Sequence, residues 1–366
     1  MKPLSKRDAG GRDAGGRDTG ALMVARETYR TISLYAPNRA PAAIDLSDNT
    51  NLWGVPPAAL RAITDAASGT ITRYPALYAA DVKQAIADYV GLPPEMVVTG
   101  CGSDDVLDSA IRAFGEPGDV VAYPDPSFAM IPIFAQMNGL AGASIPLTAQ
   151  NDADVERYIE TNATVSYLCS PNNPTGASFS RDAIERVAAG VDGIVIVDEA
   201  YAEFAGWNCL DLLARFPRVI ITRTLSKAFG LAGLRVGYAL GDPVLVAEIE
   251  KSRGPYKVNA IAQHAAVAAL TEDRAWVDGH VRDAIASRDQ LRGSLMAIGL
   301  APLPSDSNFV LVPVKNAQSL DQQLRARGIA VRPFVALPNI GDALRISVGP
   351  WDLLEQCVAA LRECAA

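Results

Sequence analysis

The sequence predicts an α/β protein in which a largely parallel β-sheet is covered by helices on both faces and is followed by a smaller α+β unit. From about Ile44 onward, short apolar runs rich in β-branched residues alternate with segments of helical period. Such near-continuous apolar runs are typical of strands buried on both faces of a parallel sheet. The predicted strands lie at residues 97–99, 120–123, 165–169, 194–197, 219–222 and 236–240, and helical segments such as 103–114 and 181–189 lie between most of them.

The pattern changes after about Lys251. Two long helical stretches, at residues 260–271 and 274–298, lead to an apolar strand at 308–314 and a final helix at 353–364. This order indicates a second, smaller α+β domain at the C-terminal end of the chain.

The first twenty residues differ in kind from the rest. The unit GRDAG at residues 11–15 has near-copies on both sides, and a repeat without large apolar side chains cannot bury a core. We interpret it as a flexible tail or a mis-assigned start rather than a functional arm. The expected organisation is a low-complexity tail at 1–20, an N-terminal arm at 21–45 that joins the small domain, a large domain at 46–255 and a small C-terminal domain at 256–366.

Composition excludes several classes of protein. The chain has 366 residues, 49% of them hydrophobic and 20% charged, which excludes a disordered chain, a collagen-like repeat and a coiled coil. The formal net charge of −8 argues against nucleic-acid binding, because an acidic surface repels a polyanion. No apolar run approaches the roughly 20 residues of a membrane span, and no signal-peptide pattern is present.

Cysteine and histidine usage argues against a disulfide framework and a metal site. The five cysteines form no CxxC pair, and His264 and His280 are the only histidines. We therefore expect no bound metal, and a reducing cytoplasm as the location.

The first candidate functional segment is GCGSDD at residues 100–105, which follows a predicted strand and begins a helix. Its glycines permit a tight turn with exposed N–H groups, a helix N-terminus favours an anion, and Ser103 could donate a hydroxyl to a phosphate. The alternative is a plain helix start capped by Ser103 or Asp104. The segment matches neither a Walker P-loop nor a GxGxxG dinucleotide fingerprint.

The second segment is SPNNPTG at residues 170–176, directly after the predicted strand 165–169. Its two prolines stiffen the backbone, and Gly176 can adopt a positive φ. Open α/β sheets place ligand-binding groups at the carboxyl ends of their strands, so this loop is a candidate binding loop. The alternative is an ordinary strand-to-helix turn.

The third segment is IVIVDEAY at residues 194–201, a buried strand with Asp198 and Glu199 at its carboxyl end. A carboxylate there needs a positive partner to offset its desolvation, and a protonated ring nitrogen would be such a partner. The alternatives are a solvated acidic loop and a magnesium site, although the phosphate-loop lysine that usually accompanies the latter is missing.

The fourth segment, at residues 223–237, contains Lys227 among small hydroxyl and apolar residues. Such surroundings remove hydration from the lysine and favour its neutral, nucleophilic amine. Thr224, Ser226 and Arg235 could bind a phosphate. The alternative is an exposed lysine, against which the flanking apolar and glycine residues argue.

Taken together, SPNNPTG, VDEAY and TLSKAFGLAGLRVGY resemble, in the expected order, the signatures of the fold-type I pyridoxal-phosphate (PLP) aminotransferases of class I/II. The resemblance runs from about Tyr35 to the C-terminus. It implies the PLP-transferase fold, with a PLP-binding large domain and a smaller α+β domain. Within the family, IRAFGEPGDVVAYPDPSF and the ending RGIAVRPF…LRISVG are similar to the histidinol-phosphate aminotransferases.

This resemblance assigns roles to individual residues. Lys227 would bind PLP covalently and act as the general base, Asp198 would pair with the ring nitrogen, and Tyr201 would hydrogen-bond the ring oxygen; these three are the expected catalytic residues. The other expected cofactor contacts are Gly102, Ser103, Asp104, Phe128, Asn173, Thr224, Ser226 and Arg235, with Tyr74 contributed across a dimer interface. The expected substrate contacts are Arg332, Arg345, Tyr35 and Asn173.

The implied activity is amino transfer between histidinol phosphate and 2-oxoglutarate in histidine biosynthesis, by a cytoplasmic homodimer with shared active sites. Two positions depart from the family pattern: Thr50 stands where a glutamate is expected, and Ala76 where an acid follows the RYP of residues 73–75. Alternatives within the fold are an aromatic amino-acid aminotransferase and a threonine-phosphate decarboxylase-like lyase. A transcription regulator would need a DNA-binding module before residue 45, and a nicotinamide dehydrogenase would need the missing GxGxxG.

Overall fold

The computed structural model describes residues 25–34, 40–66 and 68–365, with the side chain of residue 365 excepted. The chain divides into two compact units, Met1–Pro37 and Asn38–Ala366. In the first unit the described residues form one helical turn, α1 (Glu27–Arg30), and the Arg30 guanidinium donates to the Ala25 carbonyl. The predicted low-complexity tail and Tyr35 lie outside the described residues.

The second unit contains the α/β architecture. Its strands are β1 (Ile44–Asp45), β2 (Val97–Cys101), β3 (Val120–Asp125), β4 (Ala141–Pro146), β5 (Val165–Cys169), β6 (Ile194–Asp198), β7 (Val219–Thr224), β8 (Val236–Gly241), β9 (Phe309–Pro313), β10 (Ile329–Ala330), β11 (Arg332–Leu337) and β12 (Gly341–Ser347). Its helices are α2 (Pro57–Ala66), α3 (Ala80–Val90), α4 (Gly102–Phe114), α5 (Met130–Asn138), α6 (Val155–Thr161), α7 (Arg181–Gly190), α8 (Ala202–Ala205), α9 (Pro243–Lys251), α10 (Ala260–Thr271), α11 (Arg274–Ala297), α12 (Ala317–Ala326) and α13 (Trp351–Ala365).

A seven-stranded sheet forms the centre of this unit, with the strand order β2-β8-β7-β6-β5-β3-β4. Strand β8 runs antiparallel to both of its neighbours, and the other neighbouring pairs are parallel. The predicted mostly parallel sheet is therefore confirmed. The four strands β5 to β8 are buried along their whole length, which is why their sequences are largely apolar rather than alternating.

Helices cover both faces of this sheet. Ile194, Ile196 and Ile220 belong to one core cluster, which also contains side chains of α4, α5 and α9. Val195 and Ile221, which point to the opposite face, belong to a second cluster with α6, α7 and α10. The two clusters explain how a single sheet buries apolar side chains on both sides.

A smaller antiparallel sheet has the order β11-β12-β9, and β1 pairs with β10 in a separate parallel ladder. The predicted strand at 308–314 is observed as β9, and the final helix is observed as α13. No helix in the described parts of the chain combines the length and hydropathy that a bilayer crossing needs.

The topology brings several loops to one edge of the large sheet. Strands β2, β5, β6 and β7 run in the same direction, because β8 is antiparallel to both β2 and β7. Their carboxyl ends lead to the start of α4, to the 170–176 loop, to Asp198 and to the loop that contains Lys227. This edge is where open α/β sheets bind ligands.

Candidate active site

Lys227 lies in the loop between β7 and β8, and its side chain is largely withdrawn from solvent. Its amine donates to the main-chain carbonyl of Asp48 (Nζ–O 3.2 Å) and lies 5.8 Å from the centre of the Tyr201 ring. Burial, and secondarily the positive charge of Arg345, lowers the pKa of Lys227 to about 8. The exposed-lysine alternative is therefore wrong, and a substantial fraction of the amine is neutral near physiological pH.

Asp198 is the last residue of β6 and is 4% exposed. The register places it beside Cys169 of β5 and Thr222 of β7. Its carboxylate accepts from the Tyr167 hydroxyl (2.8 Å) and from the Ala200 amide (3.2 Å). Burial raises the pKa of Asp198 to about 6, which leaves a buried carboxylate that a cationic ligand would stabilise.

Glu199 has a different environment, although it follows Asp198 directly. Its Oε2 atom accepts from Arg223 Nη2 (2.7 Å) and Nε (2.9 Å), and Oε1 accepts from the Cys209 amide (2.5 Å). Glu199 and Arg223 are 2% and 5% exposed, so this is a buried ion pair. The solvated-loop interpretation of the two acids is therefore wrong, and they have separate partners.

Tyr201 and Asn173 lie close to the same cluster. The Tyr201 hydroxyl accepts from Asn49 Nδ2 (3.1 Å), and Asn173 Oδ1 accepts from Arg345 Nη1 (2.7 Å). Burial raises the pKa of Tyr201 to about 12, and the Arg345 charge opposes that rise. The hydroxyl therefore remains protonated and available as a donor. Asn49 was not predicted as a site residue, because its contact with Tyr201 joins residues 152 apart in the sequence.

The beginning of α4 has an unusual geometry for a helix start. Its N-cap is Cys101, whose amide donates to the Asp105 side chain (2.9 Å). Neither Ser103 nor Asp104 caps the helix, so that alternative is wrong. Gly102 has a φ of +81°, and a Cβ there would collide with the guanidinium of Arg235.

Strand β8 packs closely against this helix start. Gly237 lies opposite Gly100 of β2 and Thr224 of β7, and a Cβ at Gly237 would lie 2.7 Å from Ser103 Cα. Thr224 and Ser226 share a hydrogen bond between their hydroxyls (2.9 Å). Arg235 Nη2 donates to Asp104 Oδ2 (3.2 Å).

Amides at a helix N-terminus, hydroxyls and a guanidinium therefore lie around a turn that only glycines permit. We call Gly102, Ser103, Asp104, Thr224, Ser226 and Arg235 the candidate phosphate site. Its donor types are those that bind phosphate in proteins.

The turn that contains Phe128 is fastened to the 170–176 loop. Ser127 Oγ donates to Asn172 Oδ1 (2.7 Å), and Asn172 Nδ2 donates to the Pro126 carbonyl (2.9 Å). Phe128 itself is partly buried against a core cluster that contains Tyr167, the residue that donates to Asp198. The 170–176 loop thus positions an aromatic side chain as well as Asn173, which is more than a simple turn would do.

Arg332 and Arg345 lie directly opposite each other on β11 and β12. Arg345 Nη2 donates to the Ser47 carbonyl (2.7 Å), and Arg332 Nη2 forms an ion pair with Asp48 Oδ1 (2.7 Å). Both arginines therefore contact the segment that also accepts from Lys227. The side chain of Arg332 is 17% exposed, so Arg332 is largely buried and not a surface arginine.

Tyr74 lies apart from these residues in the single chain. It is 83% exposed and stacks on Tyr256, with ring centres 4.9 Å apart. It lines a groove of about 770 Å³ between α2 and α10. Within the described residues, no three or more His, Cys, Asp or Glu side chains are clustered in a way that could bind a metal ion.

Comparison with known proteins shows extensive similarity. Residues 41–361 match the family model of aminotransferase class I and II. The chain is 34% identical to histidinol-phosphate aminotransferase 1 of Trichormus variabilis, over 92% of this chain and 98% of that one. It is 36% identical to the histidinol-phosphate aminotransferase of Geotalea uraniireducens, over 90% of this chain and 94% of that one.

A solved structure of histidinol-phosphate aminotransferase from Sinorhizobium meliloti in complex with pyridoxal-5'-phosphate has a TM-score of 0.85 and 26% identity, covering 94% of this chain and 99% of that one. Aspartate aminotransferase from Thermus thermophilus has a TM-score of 0.77 at 21% identity, covering 88% of this chain and 92% of that one, and shows the fold alone. The expected fold type is thereby confirmed.

Proposed function

The chain belongs to the aminotransferase class I and II family, and on that premise we propose that it is a PLP-dependent enzyme that transfers an amino group between histidinol phosphate and 2-oxoglutarate. One observation carries the proposal: the withdrawn amine of Lys227 lies in one cluster with Tyr201 and Arg345, and the charges of Asp198 and Arg235 act on its pKa. The names of the relatives support histidine biosynthesis as the setting.

The residues present fit pyridoxal phosphate in two respects. The candidate phosphate site offers amides, hydroxyls and a guanidinium beside Gly102, where a Cβ would collide with the Arg235 guanidinium. Asp198 is a buried carboxylate with a raised pKa, and a protonated ring nitrogen would provide its missing counter-charge. When bound, PLP supplies an electron sink that stabilises negative charge on the α-carbon of the amino substrate.

Each remaining contact has an assigned role in this proposal. Lys227 would bind the cofactor covalently through Nζ, and Phe128 would stack on its ring. Tyr201 and Asn173 would hydrogen-bond the ring oxygen. After a substrate amine displaces it, the neutral amine of Lys227 would accept the proton from the substrate α-carbon and return it at C4′ of the cofactor. Its lowered pKa suits that work, because a lysine with the usual pKa is almost fully protonated at pH 7.

The two arginines would bind the acidic ends of both substrates. A guanidinium presents a planar fork of donors that matches a phosphate or a carboxylate. Arg332 and Arg345 would bind the phosphate of histidinol phosphate together, and Arg345 would also bind the carboxylate of 2-oxoglutarate. We further propose a cytoplasmic homodimer, in which Tyr74 of the partner subunit completes each phosphate site.

An amino-donor screen with 2-oxoglutarate tests this function. Histidinol phosphate should give the highest kcat/KM for glutamate formation, above phenylalanine, tyrosine and threonine phosphate, and Lys227→Ala should abolish turnover. Release of carbon dioxide from threonine phosphate without a 2-oxo acid would favour the lyase. A preference for phenylalanine or tyrosine would favour the aromatic aminotransferase.

Substitution of the arginines separates the two half-reactions. Loss of a charge-assisted hydrogen bond costs about 1.5–3 kcal/mol, or roughly 10- to 150-fold in kcat/KM. Arg332→Ala should lower kcat/KM for histidinol phosphate by that factor and kcat/KM for 2-oxoglutarate far less. Arg345→Ala should lower kcat/KM in both half-reactions. An unchanged kcat/KM for histidinol phosphate in Arg332→Ala would contradict the assignment of Arg332.

A further inference from the structure

Arg332 already has an anionic partner in this structure, the carboxylate of Asp48. We propose that Asp48 determines the charge selectivity of the substrate site by competing with the incoming anion for Arg332. The inference deepens the proposed function and rests on it, because it concerns the acidic end of the same substrates. It assigns Asp48 as a specificity-determining residue that penalises a dianionic phosphate more than a monoanionic carboxylate.

The first step of the argument concerns the backbone around Asp48, which is fixed on both sides. The Ser47 carbonyl accepts from Arg345 (2.7 Å), and the Asp48 carbonyl accepts from Lys227 (3.2 Å). The next residue, Asn49, donates its amide to Ser347 Oγ (2.8 Å). These contacts hold the backbone of residues 47–49 independently of the ion pair between Asp48 and Arg332.

The second step concerns charge. Arg332 and Arg345 bring two positive charges to adjacent strand positions, and Asp48 formally neutralises one of them. The repulsion between Asp48 and a ligand grows in proportion to the ligand's charge, so a phosphate dianion experiences about twice the repulsion of a carboxylate. The side chains of Arg332 and Asp48 are only 17% and 23% exposed, so water screens this repulsion incompletely.

The third step concerns what the competition achieves. One site must alternately bind a phosphate-ended donor and a carboxylate-ended acceptor. Without Asp48, the Arg332 guanidinium would lose this counter-charge and would favour the dianion more strongly. With Asp48 in place, the difference in affinity between the two substrates is smaller, and neither substrate saturates the site at the expense of the other.

The test is the variant Asp48→Asn, which keeps the shape and removes the charge. The ratio of kcat/KM for histidinol phosphate to kcat/KM for 2-oxoglutarate should rise about 3- to 10-fold, the range expected for loss of one partly buried charge interaction. A merely structural role would lower both constants together and leave the ratio unchanged. In the Arg332→Ala background, Asp48→Asn should change the ratio clearly less, because the competition for Arg332 is then absent and only the direct repulsion between Asp48 and the ligand remains.

A matched control and a binding measurement complete the test. Asp45→Asn removes a nearby charge whose carboxylate accepts from the Ser47 amide (2.9 Å) and hydroxyl (2.7 Å), and it should leave the ratio unaltered. Isothermal titration of the holoenzyme with phenyl phosphate and phenylacetate compares a dianion with a monoanion on the same ring. Asp48→Asn should tighten the binding of phenyl phosphate at least 3-fold and the binding of phenylacetate less.

The outcomes separate this inference from the proposed function. If the wild type does not use histidinol phosphate, the proposed function fails, and the two phenyl probes still test Asp48. If the wild type uses histidinol phosphate but Asp48→Asn changes the affinity for both probes equally, or weakens the binding of phenyl phosphate, the assignment of Asp48 is overturned. A change in the ratio of the same size in the Arg332→Ala background would overturn it as well.

Discussion

Asp198 and Glu199 are adjacent buried acids, and replacing each by its amide should change stability in opposite directions. Asp198 has no cationic partner in the hydrogen bonds described above, and burial raises its pKa from 3.8 to about 6. Glu199 lies in a buried ion pair with Arg223. We therefore expect Asp198→Asn to stabilise the cofactor-free protein and Glu199→Gln to destabilise it.

The magnitudes follow from these two environments. The pKa of Asp198 is higher in the folded than in the unfolded state, so its ionisation lowers the free energy of unfolding. This loss is absent well below pH 3.8 and grows until the pH exceeds about 6. For Asp198 that loss is about 3 kcal/mol at pH 8 and about half as much at pH 5. Breaking a buried ion pair by removing one partner costs about 3–5 kcal/mol, because Arg223 stays buried without its nearest counter-charge.

Urea unfolding of the cofactor-free variants at pH 5 and pH 8 measures these effects. Asp198→Asn should gain up to about 3 kcal/mol at pH 8 and roughly half of that at pH 5, and it should lose most transaminase activity once cofactor is added. Glu199→Gln should lose stability at both pH values and retain more activity per folded molecule. If both variants are destabilised equally at both pH values, the argument from burial is wrong.

Three further predictions concern the cofactor. The rate at which the cofactor-free protein captures PLP, measured by absorbance, should rise with pH around a midpoint near 8, and a midpoint near 10.5 would contradict the lowered pKa of Lys227. Borohydride should then label only the peptide that contains Lys227. Gly237→Ala, whose Cβ would press on Ser103, should lower the free energy of unfolding by about 1–3 kcal/mol and weaken PLP binding in equilibrium dialysis. Gly233→Ala, with open space around its Cβ, should change neither quantity. Tyr74→Ala should leave a dimer on a sizing column but weaken its PLP binding, and an active wild-type monomer would refute the shared site.

The sequence predicts the buried strands well because hydrophobic periodicity is strong where both faces of a sheet are covered. Each predicted strand from 97–99 to 236–240 lies within an observed strand. Strand β4 at the sheet edge was not predicted, because most of its six residues are exposed or only partly buried and leave no apolar run. The alternative in which Ser103 or Asp104 caps α4 is wrong, although both residue types are common caps, because the turn at Gly102 places the N-cap at Cys101.

The candidate site divides in the same way. Lys227, Asp198 and Arg235 lie at or near the ends of strands that periodicity detects, so their places at one sheet edge could be expected. The partners of Arg332 and Arg345 could not, because Asp48 and Ser47 lie 284 and 298 residues away from them and carry no local signal. Asn49 was missed for the same reason, since its contact with Tyr201 depends on tertiary packing alone.

The antiparallel pairing of β7 with β8 has a consequence for the order in which the site assembles during folding. The hydrogen bond from Thr224 to the Val236 carbonyl closes a loop of only 12 residues around Lys227. The bond from Arg345 to Ser47 joins residues 298 apart, and the entropy of closing so much more chain costs roughly 3 kcal/mol more. Short loops close earlier, so the lysine and the hydroxyls beside it should be organised before the arginines reach the 47–49 segment. The part of the cofactor end that this loop supplies is then organised before the substrate end exists.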